Sequence, residues 1–149
     1  MSDKKDMYDV FDEQAVEELL AAIGDAERDT SGEVRIHIDN HVKEDVMDHA
    51  AFVFEELEMH KTAQRNGVLF YLALQDHKFA ILGDAGINAK VPEGFWDSIR
   101  DEMKQLFKQE KHVEALCTGV RRAGQELKKF FPYQQDDVNE LPDEISFGK

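Results

Sequence analysis

Cysteine, basic charge and long apolar runs are all in short supply here, and each shortage closes off a class of protein. The single Cys117 excludes an internal disulfide, so the fold must be held by its own core and suits a reducing compartment. No apolar stretch approaches the roughly 20 residues that a membrane-spanning helix needs. Residues 1–6 lead into no apolar signal segment, which gives the expectation of a soluble, cytoplasmic protein. Lysine and arginine total 18 against 32 aspartates and glutamates, a formal net charge of −14. Such a field repels phosphate backbones and anionic lipid, so neither nucleic acid nor a membrane surface is an expected partner. It attracts cations, and it also serves plain solubility.

Familiar catalytic signatures are missing as well. Cys117 is followed by Arg121 and Arg122, but a thiol-phosphatase loop needs arginine six positions on, where Ala123 stands. Gly83, Gly86 and Lys90 lack P-loop spacing, and there is no Gly-x-Ser-x-Gly elbow. The six histidines are scattered; His37 and His41 straddle a strand end, where a spacing of four does not put ligands on one face, His60, His77 and His112 read as surface groups, and no zinc cluster assembles from them.

What remains is an ordinary globular chain. With 149 residues, 42% hydrophobic content and ten phenylalanines, it suits one domain with one substantial core. Residues 1–10 read as a flexible N-terminus, 11–132 as the domain, and 133–149 as an acidic C-terminal tail. Asp12 is a good N-cap, with Phe11 and Val16 placed to close a staple across it. Val16, Leu19, Leu20 and Ile23 form a helical stripe that ends near Asp29. Residues 33–38 alternate as a strand with Val34, Ile36 and Ile38 on one face. Asp45 caps a second helix striped by Val46, Ala50, Val53, Phe54 and Leu57. After the break at Asn66-Gly67, residues 68–74 form a continuous apolar run, the pattern of a central strand covered on both faces.

A polar link at 75–78 leads to Phe79-Ala80-Ile81-Leu82, giving a hairpin. Residues 83–91 read as a loop. Ile99, Met103, Leu106 and Phe107 stripe one later helix beyond Trp96, and Leu116, Val120, Ala123 and Leu127 another, which Pro132 stops. In the tail, Leu141, Ile145 and Phe147 are possible anchors. The order predicts an α/β/α sandwich: a small mixed sheet of two parallel strands plus an antiparallel hairpin strand, with about four helices.

Strand direction then concentrates acids at one rim. Glu33 opens the first strand, Asn66 precedes the parallel second, and Asp84 ends the antiparallel third. Glu27 lies near the end of the first helix, and Asp136 and Asp137 follow the last. Oxygen ligands from separate segments suit a hard cation, Ca²⁺ before Mg²⁺, because Ca²⁺ accepts six to eight oxygens at flexible angles. The candidate ligands are therefore Glu27, Glu33, Asp84, Asp136 and Asp137. The blander alternative leaves Glu27 and Glu33 solvated and Asp84 capping its loop. Arg65, beside Asn66, either holds a phosphate oxygen near a bound metal or pairs with Glu33 or Asp84.

Several segments carry a resemblance. Glu-Arg-Asp-Thr-Ser-Gly-Glu at 27–33, Thr-Ala-Gln-Arg-Asn-Gly-Val-Leu at 62–69, Gly83-Asp84-Ala85-Gly86, Trp96 and Phe131-Pro132 together resemble the TPM domain family. That family includes the thylakoid acid phosphatase-like proteins and an auxiliary protein of acetylcholine receptors. The similarity runs over about residues 11–145. It implies an α/β/α sandwich and a divalent-cation site on acidic residues at one end of the sheet; phosphatase activity has been attributed to some plant members. This sequence shows neither the export signal and anchor of many members nor the glycine-rich segment after the last strand, and looks like a short, free-standing cytosolic branch. Two functions follow as expectations. One is a monomeric Ca²⁺-binding module that contacts an unidentified protein partner. The other is a metal-dependent phosphatase acting on phosphate monoesters with Asp84 and Arg65 at its site. A weaker third is a structural or chaperoning role for exposed apolar tail residues.

Overall fold

Four strands and six helices build the described part of the chain, which in this computed structural model comprises residues 5–133 and 144–148. The first long helix, α2 (Glu13–Asp29), follows a single turn, α1 (Met7–Val10), and is opened by Asp12, whose carboxylate accepts the Ala15 N–H at 2.9 Å. Strand β1 (Glu33–Asp39) comes next, then α3 (Val46–Glu56), capped by Asp45 through the Met47 and Asp48 amides. Beyond a 3₁₀ turn at Met59–Lys61 lie β2 (Gly67–Ala73) and β3 (Lys78–Gly83). The short α4 (Ala85–Lys90) precedes α5 (Asp97–Lys108) and α6 (His112–Leu127), and β4 (Ile145–Phe147) ends the described chain.

One open sheet runs in the order β3-β2-β1-β4, with β1 parallel to β2 and to β4, and β3 antiparallel to β2. Alternation along the strands splits the core into two layers. Val34, Ile36, Ile38, Val68, Phe70, Leu72 and Ile81 face the layer that α2, α5 and α6 cover. Leu69, Tyr71, Ala73 and Ala80 face α3. All seven residues of β2 are buried, as an unbroken apolar run between two helical layers requires. The α/β/α sandwich expected from the sequence is the fold observed, with four long helices and two short ones. No helix of the described residues is long and apolar enough to cross a membrane.

Four elements depart from the sequence reading. Residues 7–10 are not frayed: Met7 is buried, and its N–H donates to Asn40 Oδ1 at 2.8 Å while Asn40 Nδ2 donates to Asp6. The expected loop at 83–91 contains α4, because Asp84 caps it through the Ala85 amide. Within the tail, Ile145–Phe147 adds a fourth strand to the edge of β1, in register Ile36↔Ile145 and Ile38↔Phe147. It is tied down by Arg35, buried at 3% exposure, which donates to Glu144 at 2.7 Å. Finally, α2 meets α6 through small residues. Ala15, Ala22 and Ala26 join Leu19 and Ile23 on its buried face, and a Cβ on Gly124 would stand only 2.6 Å from Ala26 Cα.

Candidate functional site

Register delivers three of the expected residues to one end of the sheet. Glu33 pairs with Gly67 across the parallel ladder. Its N–H donates to the Asn66 carbonyl at 3.1 Å, and the Asp84 N–H donates to the Gly67 carbonyl at 2.9 Å. Glu33, Asn66 and Asp84 are 5%, 1% and 7% exposed, so this rim is an interior polar edge. Glu27 sits half-buried in the closing turns of α2, three residues short of the turn into β1. Thr30 forms an isolated bridge with Pro132 and donates its hydroxyl to the Phe131 carbonyl. The last described residues before the tail therefore lie beside the same turn. Asp136 and Asp137 themselves lie outside the described residues.

The loop that carries Arg65 and Asn66 is drawn tightly onto α4. Gly86 donates its N–H to the Arg65 carbonyl at 2.9 Å, and a Cβ there would fall 2.0 Å from the Gln64 carbonyl oxygen. Only glycine permits that approach. Arg65 adopts φ +50°, a left-handed conformation uncommon for a non-glycine residue. From it the guanidinium grips Asp84 in a two-bond fork, Nε to Oδ2 at 2.8 Å and Nη2 to Oδ1 at 2.9 Å. Hydrogen bonding to Asp84 and its charge raise the Arg65 pKa further. Of the alternatives for Arg65, the pair with Asp84 is the one observed, and Asp84 also fills the capping role.

Among the described residues of the rim, Asn66 has an unmet hydrogen-bonding atom. Its N–H is satisfied by Thr62 Oγ1 at 3.1 Å and its Nδ2 donates to the Ser31 carbonyl at 3.2 Å. Its Oδ1 is buried without a hydrogen-bond partner among the described residues. A buried acceptor left open costs desolvation energy unless something electropositive reaches it. Among the described residues, however, no group of three or more His, Cys, Asp or Glu side chains stands ready to hold a metal ion.

A second polar cluster, not anticipated from the sequence, lies toward the far end of β1. Asp39 is 5% exposed. It accepts from Tyr71 Oη at 2.6 Å and stands 3.2 Å from His37 Nε2 and 3.3 Å from His49 Nε2. Burial works to raise the Asp39 pKa, but the bonds from His37 and Tyr71 and the charges of His37 and His49 outweigh it, so the net shift is downward. Tyr71 is pushed up, first by burial and then by Asp39. Ser146 of β4 lies 2.7 Å from His37 Nδ1, so this cluster also stitches the fourth strand to the sheet. A Ser–His–Asp hydrolase presents the other imidazole nitrogen to its serine, and the order here suits strand docking. His37 thus has a structural role, and of the histidines read as surface groups His60 and His112 each bury their Nδ1. The signal was present in the alternation of β1, which places Arg35, His37 and Asp39 together on the face opposite Val34, Ile36 and Ile38.

Comparison with known proteins agrees with this fold. The BA42 protein of the psychrophilic bacterium Bizionia argentinensis, solved by NMR, is 43% identical, with a TM-score of 0.86 over 91% of this chain and 93% of that one. The N-terminal domain of a P. gingivalis protein (18% identity, TM-score 0.69, 89% and 86% covered) shares the fold. So does that of the cg2496 protein of Corynebacterium glutamicum (11%, 0.64, 94% and 82%). No curated protein matches the sequence. A family model for the TPM domain matches residues 4–126, and with most of its length so matched, this chain belongs to the TPM domain family.

Proposed function

We propose that the chain is a divalent-cation-binding module, Ca²⁺ before Mg²⁺, whose rim contacts a partner protein once the ion is bound. The observation that carries this reading is the buried Oδ1 of Asn66, without a hydrogen-bond partner among the described residues, at the same sheet edge as Asp84 and Glu33. An amide oxygen and carboxylates are the hard donors such an ion takes. Asp84, Glu33 and Asn66 would hold it, Glu27 standing nearby, with Asp136 and Asp137 as further donors from the tail. Bound there, the ion supplies positive charge in place of the Arg65 guanidinium. The exposed half of the Arg65 side chain gives it somewhere to go, since it is 52% exposed while that of Asp84 is 6%. The net charge of −14 favours any cation's approach. A monomer working in the cytoplasm belongs to the same reading. Thermal melts in chelator and in rising Ca²⁺ test it: a saturable rise in melting temperature is expected, and no rise at millimolar Ca²⁺ overturns it.

Arg65 supports a second reading, a metal-dependent phosphatase acting on phosphate monoesters. Displaced from Asp84, the guanidinium would stand free beside the ion and suit a phosphoryl oxygen. Turnover of a small phosphate ester by highly purified protein decides it. Activity that survives Asp84→Asn unchanged belongs to a contaminant.

A further inference from the structure

At the β2–β3 hairpin, a groove of about 640 Å³ opens between the hairpin, α5 and the start of α6, with Val46 at the start of α3 on its border. Its volume falls within the range of small-molecule sites. Leu72, Leu74, Phe79 and Phe107 supply an apolar lining, with the Phe79 and Phe107 rings 4.9 Å apart. Around it stand Lys78, Arg100, Lys104 and Lys108, against one carboxylate, Asp101. In a chain carrying −14 overall, cations outnumber carboxylates among the residues lining this apolar groove.

Three of these cations, Arg100, Lys104 and Lys108, follow one another at four-residue spacing along α5, which places them on one face. Like charges so spaced destabilise a helix. Arg100 is paired with Asp97 at 2.6 Å, but Lys78, Lys104 and Lys108 have no ion-pair partner among the described residues. At the end of the groove the His112 Nδ1 is buried without a hydrogen-bond partner among the described residues. Burial holds that imidazole below its usual pKa, so near neutral pH it is an uncharged donor or acceptor. The bland explanation, lysines solvated on an outward face, accounts for neither the apolar lining nor the open imidazole nitrogen.

We propose that this groove binds a small amphipathic anion, an aryl or acyl body ending in one phosphate, sulfonate or carboxylate group. The body lies on Phe79, Phe107 and the two leucines, and the head meets Lys104, Lys108 and Lys78. It lies apart from the cation rim and does not depend on that reading.

The test is a fluorescence titration of the full chain with 8-anilinonaphthalene-1-sulfonate at low salt. Saturable binding at one site is expected, displaced by dodecyl phosphate and unaffected by dodecyltrimethylammonium. Lys104→Glu with Lys108→Glu should weaken binding by at least roughly tenfold, about 1.4 kcal/mol, with the melting temperature unchanged because both side chains are exposed. Lys128→Glu with Lys129→Glu, an equal charge change on exposed residues beyond α6, should leave binding as it was. Absence of saturable binding overturns the proposal. So does equal loss in the two double variants, which would assign the effect to overall charge, or equal displacement by the cationic detergent.

Discussion

Asp84 serves two masters, and replacing it two ways separates them. Its Oδ1 caps α4 by accepting the Ala85 N–H at 2.7 Å, and both oxygens hold Arg65. Asp84→Asn keeps a capping oxygen and removes the charge; Asp84→Ala removes both. The alanine variant should thus be less stable than the asparagine variant by the worth of a cap, about 1 kcal/mol. In a chain of this size that is a difference of about 2–4 °C in melting temperature. Calcium then reads out the charge alone. At ten times its Kd, an ion bound only by the folded state adds about 1.4 kcal/mol, or roughly 3–6 °C, to the wild type. Both Asp84 variants should stay nearly flat over the same range. Arg65→Ala should do the reverse. It melts lower in chelator, because Asp84 loses its partner, yet binds Ca²⁺ more tightly than wild type, because no guanidinium competes for the carboxylate. Melts followed by circular dichroism, with and without chelator, give every term. A calcium-induced rise in Asp84→Asn equal to that of wild type would show that the carboxylate is only a cap and an ion-pair partner.

Two further expectations concern the scaffold. Gly124→Ala should destabilise by about 1–3 kcal/mol, because its Cβ would stand 2.6 Å from the Ala26 Cα and 2.8 Å from its Cβ, whereas Gly24→Ala, meeting only the far end of Arg28 at 3.8 Å, should gain up to about 1 kcal/mol of helix propensity; urea melts compare the two. Asp39 is held below its ordinary value of 3.8, so the stability it contributes is present above about pH 4 and lost as pH falls through the lower folded value. Urea melts across that acid limb should show a shallower fall for Asp39→Asn than for wild type.

The sandwich was legible because its main signals are long. An unbroken apolar run at 68–74, an alternating one at 33–38 and four amphipathic stripes each reflect burial that the final packing demands. What escaped notice was short or depended on distant partners. Three residues, Ile145-Ser146-Phe147, cannot announce a strand from inside an acidic stretch. They become one only where Arg35 and His37 of β1 hold Glu144 and Ser146. The six residues of α4 show no apolar period, and their order comes from the Asp84 cap and from the closeness that Gly86 allows to Arg65. Alanine is a weak hydrophobic signal, so the stripe drawn through Val16 and Leu20 missed the buried Ala22 and Ala26, the second of which lies against Gly124 of α6.

The rim was legible for a different reason: it follows from chain direction rather than from any motif. Once two strands are parallel and a hairpin returns the third, the start of β1, the start of β2 and the end of β3 share an edge whatever their side chains are. That topology brings Glu33, Asn66 and Asp84 together but does not decide what neutralises them. Here the decision falls to Arg65, whose left-handed backbone aims a guanidinium at Asp84, a conformation that residue type alone does not foretell. On the proposed reading, a divalent ion would be an alternative to Arg65 as counter-charge for the buried Asp84 carboxylate. An ion that also met the Asn66 oxygen would gain a contact the arginine does not make, so on that reading the balance between them shifts with cation concentration.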